Sequence, residues 1–182
     1  MSATTWVALL RGINVGRAKR VAMADLRALL ERLGYDDVRT HLQSGNALFT
    51  TSGGRAGELE DRIAAQIDTE LGLNVAVLVR SAADLARVIE ANPFAGPKAD
   101  STQLHVVFLS ARPPAKRVAA LDPGEFAPDE FAFGDRVIHL RLPHGVMGSK
   151  LPDCDKFLGV AASQRSWNTV TRLNELAAEL GG

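Results

Sequence analysis

Between residues 5 and 79 the hydrophobic pattern switches back and forth between the period of a strand and that of a helix, and the order of the switches leaves few folds open. An apolar run over residues 6–13 breaks into Gly12, Asn14 and Gly16, as a buried strand entering a turn does. Leu26, Leu29, Leu30 and Leu33 recur at helical spacing, with Gly34 beyond them where a left-handed cap is wanted. Residues 38–42 and 47–50 flank the polar turn Gln43-Ser44-Gly45-Asn46 and read as a hairpin, or as one bulged strand. Leu59, Ile63, Ile67 and Leu71 then predict a second helix closed by Gly72, and residues 75–79 a β-branched strand. Strand, helix, strand, strand, helix, strand is the split βαβ order called ferredoxin-like.

A third helix is expected to start at Ser81, with Asp84 reaching back as in a capping box, and to stop at Asn92-Pro93. Residues 93–102, rich in Pro, Gly, Lys and Asp, read as a linker between an N-terminal half, 1–92, and a related α+β half, 103–182, with terminal helices. In the second half an apolar strand over 104–109 precedes a short helix begun at Pro113-Pro114. A hairpin follows around Gly134-Asp135, suited to a type II′ turn, with Ile138, Leu140 and Leu142 on one face and His139 and Arg141 on the other. Ser149 is placed to cap a helix ending at Leu158-Gly159, and Trp167, Val170, Leu173, Leu176 and Leu180 mark a last helix. The expected fold is therefore α+β, two ferredoxin-like subdomains with mainly antiparallel sheets and helices packed on them; no residue-level repeat is visible between the halves.

Composition narrows function more than fold. Of 182 residues, 21 are Lys or Arg and 21 Asp or Glu, so no global field draws in nucleic acid or an anionic membrane, and a basic site has to be local. The single cysteine, Cys154, has no internal disulfide partner, and the cysteine and four histidines lack metal-site spacing; neither a metal nor a cofactor is expected. The apolar run before Arg11 is too short for a signal-peptide core and no stretch approaches the ~20 apolar residues of a membrane span, so a cytoplasmic protein is expected.

Chemistry concentrates in three places. Arg11, Gly12, Asn14, Gly16, Arg17, Lys19 and Arg20 put two glycines and four cations between a strand and a helix, a make-up that holds phosphates or carboxylates when the backbone amides converge. The glycine spacing is neither a dinucleotide fingerprint nor a Walker loop. Gln43, Ser44 and Asn46 crowd amides and a hydroxyl around Gly45, suiting polar recognition or the closing of a tight turn. Ser149, Lys150, Arg165, Trp167 and Asn168 put cations and polar groups where two helices are expected to begin.

Taken together, the segments at 11–16 and 23–27, Gln43-Ser44-Gly45-Asn46, Ser149-Lys150-Leu151 and Trp167-Asn168-Thr169-Val170 resemble the bacterial domain-of-unknown-function family 1697 over nearly the whole chain. The resemblance implies a two-part ferredoxin-like α+β fold and brings no established substrate, cofactor or catalytic residue. Arg17, His41 and Ser166 depart from its pattern, whereas Arg11, Asn14, Gln43, Ser44, Asn46, Ser149, Lys150, Trp167 and Asn168 match its motifs and form the candidate ligand-binding set.

The leading function is binding of a small anionic or nucleotide-type ligand, with Arg11 and Lys150 supplying charge and no reaction assigned. RNA binding on an exposed sheet ranks below it, because paired strand aromatics are absent and net charge is zero. A third reading is an interaction scaffold, including a homodimer joined at sheet edges.

Overall fold

The computed structural model describes residues 3–16 and 19–181, and the chain divides into two compact units. The first takes in the chain up to Ala86 together with the segment from Arg172 on; the second runs from Arg87 to Thr171. Each unit holds a four-stranded antiparallel sheet with helices packed on it, the α+β architecture that the hydrophobic pattern predicts. The units part at Ala86, before the stretch 93–102 read as a linker, and the chain's last residues belong with the first unit.

In the first unit the order is β1 (Thr4–Leu10), α1 (Met23–Arg32), β2 (Asp36–His41), β3 (Asn46–Thr51), α2 (Ala56–Leu71) and β4 (Val77–Ser81), followed by α3 (Ala82–Glu90). The sheet runs β2-β3-β1-β4, so β1 is central and pairs antiparallel with both β3 and β4. Trp6, Ala8 and Leu10 of β1 share a core with Ala47 and Phe49, with Leu26, Leu29 and Leu30 of α1, and with Leu59, Ile63 and Ile67 of α2. Each fully buried side chain of this size contributes roughly 1.5–3 kcal/mol, which sets the helix faces more firmly than propensity does. Val7, Leu9, Leu48 and Leu78 are buried on the opposite face, so β1 and β3 have no exposed side.

The local signals mostly act as expected. Gly72 closes α2 at φ 62°, and Glu58 returns to the Arg55 N–H at its start. The Ser81 cap forms in both directions: Asp84 N–H donates to Ser81 Oγ at 3.1 Å and Ser81 N–H to Asp84 Oδ2 at 3.3 Å. β2 and β3 form a hairpin whose register shifts between Asp36 and Arg39.

The second unit contains β5 (Leu104–Leu109), α4 (Ala115–Ala119), β6 (Glu130–Gly134), β7 (Val137–Arg141), α5 (Cys154–Leu158) and β8 (Ala162–Ser166), and α6 (Trp167–Gly181) begins within it. Its sheet runs β6-β7-β5-β8, the same strand order as the first. Val107, Leu109, Ile138, Leu140, Leu142 and Leu158 form its core.

Three sequence expectations change here. The helix ending at Leu158 starts at Cys154, capped by Asp153 Oδ1, rather than at Ser149, because Pro152 disfavours helical backbone at the residue before it. The hairpin loop is Asp135-Arg136 rather than Gly134-Asp135: Gly134 pairs with Val137, and the left-handed residue is Arg136 at φ 52° in the second loop position, which a type II′ turn does not have. β8 is a strand the hydrophobic pattern passes over, since Ser163, Gln164, Arg165 and Ser166 carry no apolar alternation.

With β8 in place the halves correspond in strand order, and one strand pair in each matches in register, where the sequence alone shows no repeat. Val7 pairs with Arg80 as Val106 pairs with Arg165, and Trp6 with Ser81 as His105 with Ser166. Both serines are helix caps, Ser166 Oγ accepting the Thr169 N–H at 3.3 Å. Each arginine also turns back on its own strand, Arg80 Nη1 donating to Val79 O at 2.9 Å and Arg165 Nη1 to Gln164 O at 2.8 Å. Burial pushes the Arg165 guanidinium down to about 10, so it stays charged at neutral pH.

His139 is 2% exposed and neither ring nitrogen has a hydrogen-bond partner among the described residues; burial pushes its pKa below the usual 6.5, and burial does the same to His105. Depressed folded values mean that the unfolded chain takes up protons first as the pH falls, so stability is fully present above pH 6.5 and is lost below it. The melting temperature is expected to be flat from pH 8 to 7 and to fall below about 6.5, with His139→Leu removing much of the fall; an unchanged slope in that variant would show that other groups carry it.

Candidate functional site

The loop leaving β1 is shaped by one carboxamide. Asn14 Nδ2 donates to Val21 O at 2.8 Å and to Gln43 O at 2.7 Å, while Asn14 Oδ1 accepts the Val21 N–H at 2.9 Å. Asn14 N–H donates to Lys19 O at 3.0 Å. Asn14 itself is left-handed at φ 55°, a region that asparagine tolerates better than most residues. Its side chain is thus committed to closing the loop on itself and on the β2–β3 turn. Lys19 is held as well, Nζ donating to Asn74 O at 2.8 Å. Arg17 and Ala18 lie outside the described residues.

The second motif meets the first at Gly45. Leu10 N–H donates to Gly45 O at 2.8 Å, and a Cβ on Gly45 would come within 2.8 Å of Ile13 Cδ1 and of Leu10 Cβ, so no side chain fits. At φ 84° the backbone there also disfavours any residue with a Cβ. Asn46 is fully buried, Nδ2 donating to His41 O at 2.8 Å and to Ser44 Oγ at 3.0 Å, which closes the turn from inside. Of this group the Gln43 side chain is exposed and makes no hydrogen bond to a described residue.

What the loop leaves open is backbone. Gly12, Asn14 and Gly16 lie at φ 64°, 55° and 61°, and Lys19 at 48°. The amides of Gly12, Ile13, Val15 and Gly16 make no hydrogen bond to the described residues, and nothing lies within 4 Å of the Cβ positions of Gly12 and Gly16. Left-handed residues at every second position are one half of the alternation from which anion-binding backbone concavities are built. Arg11 opens the loop and Arg20, exposed, closes it.

In the second unit the Lys150 backbone is held by a residue the sequence reading did not select. Asp129 is 4% exposed; its Oδ2 accepts the Lys150 N–H at 2.9 Å and its Oδ1 has no partner among the described residues. Lys150 Nζ reaches Ala127 O at 3.3 Å, and Ser149 Oγ accepts the Leu151 N–H at 3.1 Å. Trp167 and Asn168 occupy the first turn of α6 behind the Ser166 cap; Asn168 is exposed and Trp167 half-buried. The nine candidates thus fall into two groups: Arg11, Asn14, Gln43, Ser44 and Asn46 in the first unit, and Ser149, Lys150, Trp167 and Asn168 in the second. Among the described residues no group of His, Cys, Asp or Glu could hold a metal ion, and no helix is long and apolar enough to cross a membrane.

Asn14→Ala is expected to cost about 2–4 kcal/mol, from three side-chain hydrogen bonds and a left-handed backbone. Asn14→Gly, which relieves only the backbone, should recover about 1 kcal/mol of it. Gly45→Ala should destabilise by a similar 2–4 kcal/mol through the contacts with Ile13 and Leu10. Urea denaturation measures all three, and equal midpoints for Asn14→Ala and Asn14→Gly would contradict a strained backbone at position 14.

No curated protein matches the chain. A solved structure, that of conserved bacterial protein SP0830 from Streptococcus pneumoniae, has the same fold with a TM-score of 0.77 at 21% identity, covering 97% of this chain and 99% of that one. Over residues 3–139 the chain matches the family model described as a protein of unknown function, and those residues contain the Asn14 loop, the Gly45 turn that supports it and the buried Asp129. The chain belongs to that family, DUF1697.

Proposed function

We propose that the loop between β1 and α1 binds a small anionic ligand, a phosphate- or carboxylate-bearing metabolite of the nucleotide type. The observation that carries this reading is the run of backbone amides at Gly12, Ile13, Val15 and Gly16, which have no partner among the described residues while Asn14 fixes the loop around them. Hydrogen bonds that hold Asn14 before binding lower the ordering cost that weakens flexible anion sites. Arg11 and Arg20 supply charge, and the exposed carboxamide of Gln43, on the turn that Asn14 holds, supplies orientation. Asn14, Ser44 and Asn46 act by positioning, since their polar atoms are spent on the protein's own backbone and on each other.

RNA binding on the first sheet gains no support from burial: Asn46, Ala47, Leu48 and Phe49, the strand with a faint likeness to an RNA-recognition motif, are all fully buried. Stacking on bases needs exposed rings.

The reading is tested by titrating the isotopically labelled protein with inorganic phosphate, nucleoside mono- and diphosphates and simple carboxylates while recording amide spectra. Shifts confined to residues 12–16 and weakened by salt are expected. Arg20→Ala should weaken binding by about tenfold, the loss of one charge-assisted contact, with the fold intact. Silence of these amides across the whole panel would end the proposal.

A further inference from the structure

Among the described residues the large apolar side chains left exposed are Val15, Leu42, Val146 and Met147, and the first unit holds only Val15 and Leu42. A single apolar side chain in water needs no explanation, but these two flank one hydrogen bond. Asn14 Nδ2 donates to Gln43 O at 2.7 Å, which ties the loop carrying Val15 to the turn carrying Leu42 one residue away from each. Val15 is 70% exposed and Leu42 56%.

Leu42 is also held in an unfavourable backbone region. It lies at φ 61°, where the Cβ of a leucine is crowded and asparagine or glycine sits more easily. An asparagine would ease the backbone and take an apolar side chain out of water. Packing gives no reason for the leucine, which has no part in the core built with α1 and α2. Strain that stability does not explain points to a task outside the fold. Gln43, in the same turn, keeps an exposed carboxamide with no hydrogen bond to the described residues, so a donor and an acceptor are available as well.

A ring with apolar faces and a polar edge answers all three side chains. A hydrocarbon tail leaves the carboxamide unmatched, and a bare phosphate or sugar phosphate leaves Val15 and Leu42 in water. We propose, on the basis of the anion reading of this loop, that its ligand is a nucleotide whose base lies against Val15 and Leu42 with its edge on the Gln43 carboxamide. The amides of residues 12–16 take the phosphate, and the base sets which phosphate compound is chosen.

Methyl spectra of the labelled protein test the base contact separately from the anion site. Adenosine and uridine monophosphates should move the Val15 and Leu42 methyl signals through ring currents, while inorganic phosphate and ribose 5-phosphate leave them in place. The nucleotides should bind at least about tenfold tighter than ribose 5-phosphate, the gain from covering two aliphatic side chains. Leu42→Asn should remove most of that gain, with phosphate affinity kept within about twofold and no fall in the urea midpoint, because asparagine tolerates the left-handed backbone. Phosphate that shifts the loop amides beside nucleotides that bind no tighter would overturn the base contact and leave the anion site standing. Butyl phosphate binding as tightly as the nucleotides would overturn it too, since any apolar tail would then serve. So would a Leu42→Asn protein that loses phosphate and nucleotide affinity alike, its side chain then serving only the shape of the loop. Silence of amides 12–16 toward every compound would bring down both readings together.

Discussion

The hydrogen bond from Leu10 N–H to Gly45 O fixes where the first strand ends, and much of the first unit follows from it. It sets the β2–β3 turn beside the β1 exit, which is why Gln43 O is within reach of Asn14 and why Ile13 can pack on a residue that has no room for a Cβ. The second unit repeats the bond with Leu109 and Arg136, again using a left-handed residue as the last of the hairpin turn. In one unit the position is glycine because a side chain would collide; in the other it is an arginine at φ 52°.

The fold was legible wherever burial leaves a period. α1, α2 and β5 follow directly from their apolar spacing, and the Ser81–Asp84 cap from its two polar residues. β8 was not legible, because a strand of Ser, Gln and Arg has no apolar alternation to detect and its inclusion rests on pairing with β5. The site was half legible. Its residues stand out in the sequence, but their roles depend on backbone carbonyls at Val21, Gln43 and His41, and a carbonyl has no letter in a sequence. Asp129 gave no sign at all: one acid among 21 in the chain, singled out only by its burial against the Lys150 amide.

The match between Arg80-Ser81 and Arg165-Ser166 is informative for what it retains. Elsewhere the halves have diverged freely, down to helices of 16 and 5 residues at corresponding places. At this pair each residue answers a geometric need that does not change with the core: the serine satisfies the first amides of a helix, and the arginine occupies a carbonyl on a strand with no outer neighbour.

The first unit is discontinuous along the chain, taking its last piece from the segment after Arg172, where Leu173 and Ala177 are buried, Glu179 pairs with Arg39 and Gly181 comes within 3.6 Å of Thr5 Oγ1. On the ribosome, strands β1 to β4 therefore emerge before the segment that completes their unit. The half made first is the half finished last, since the piece beyond Arg172 joins it only after both sheets have been made.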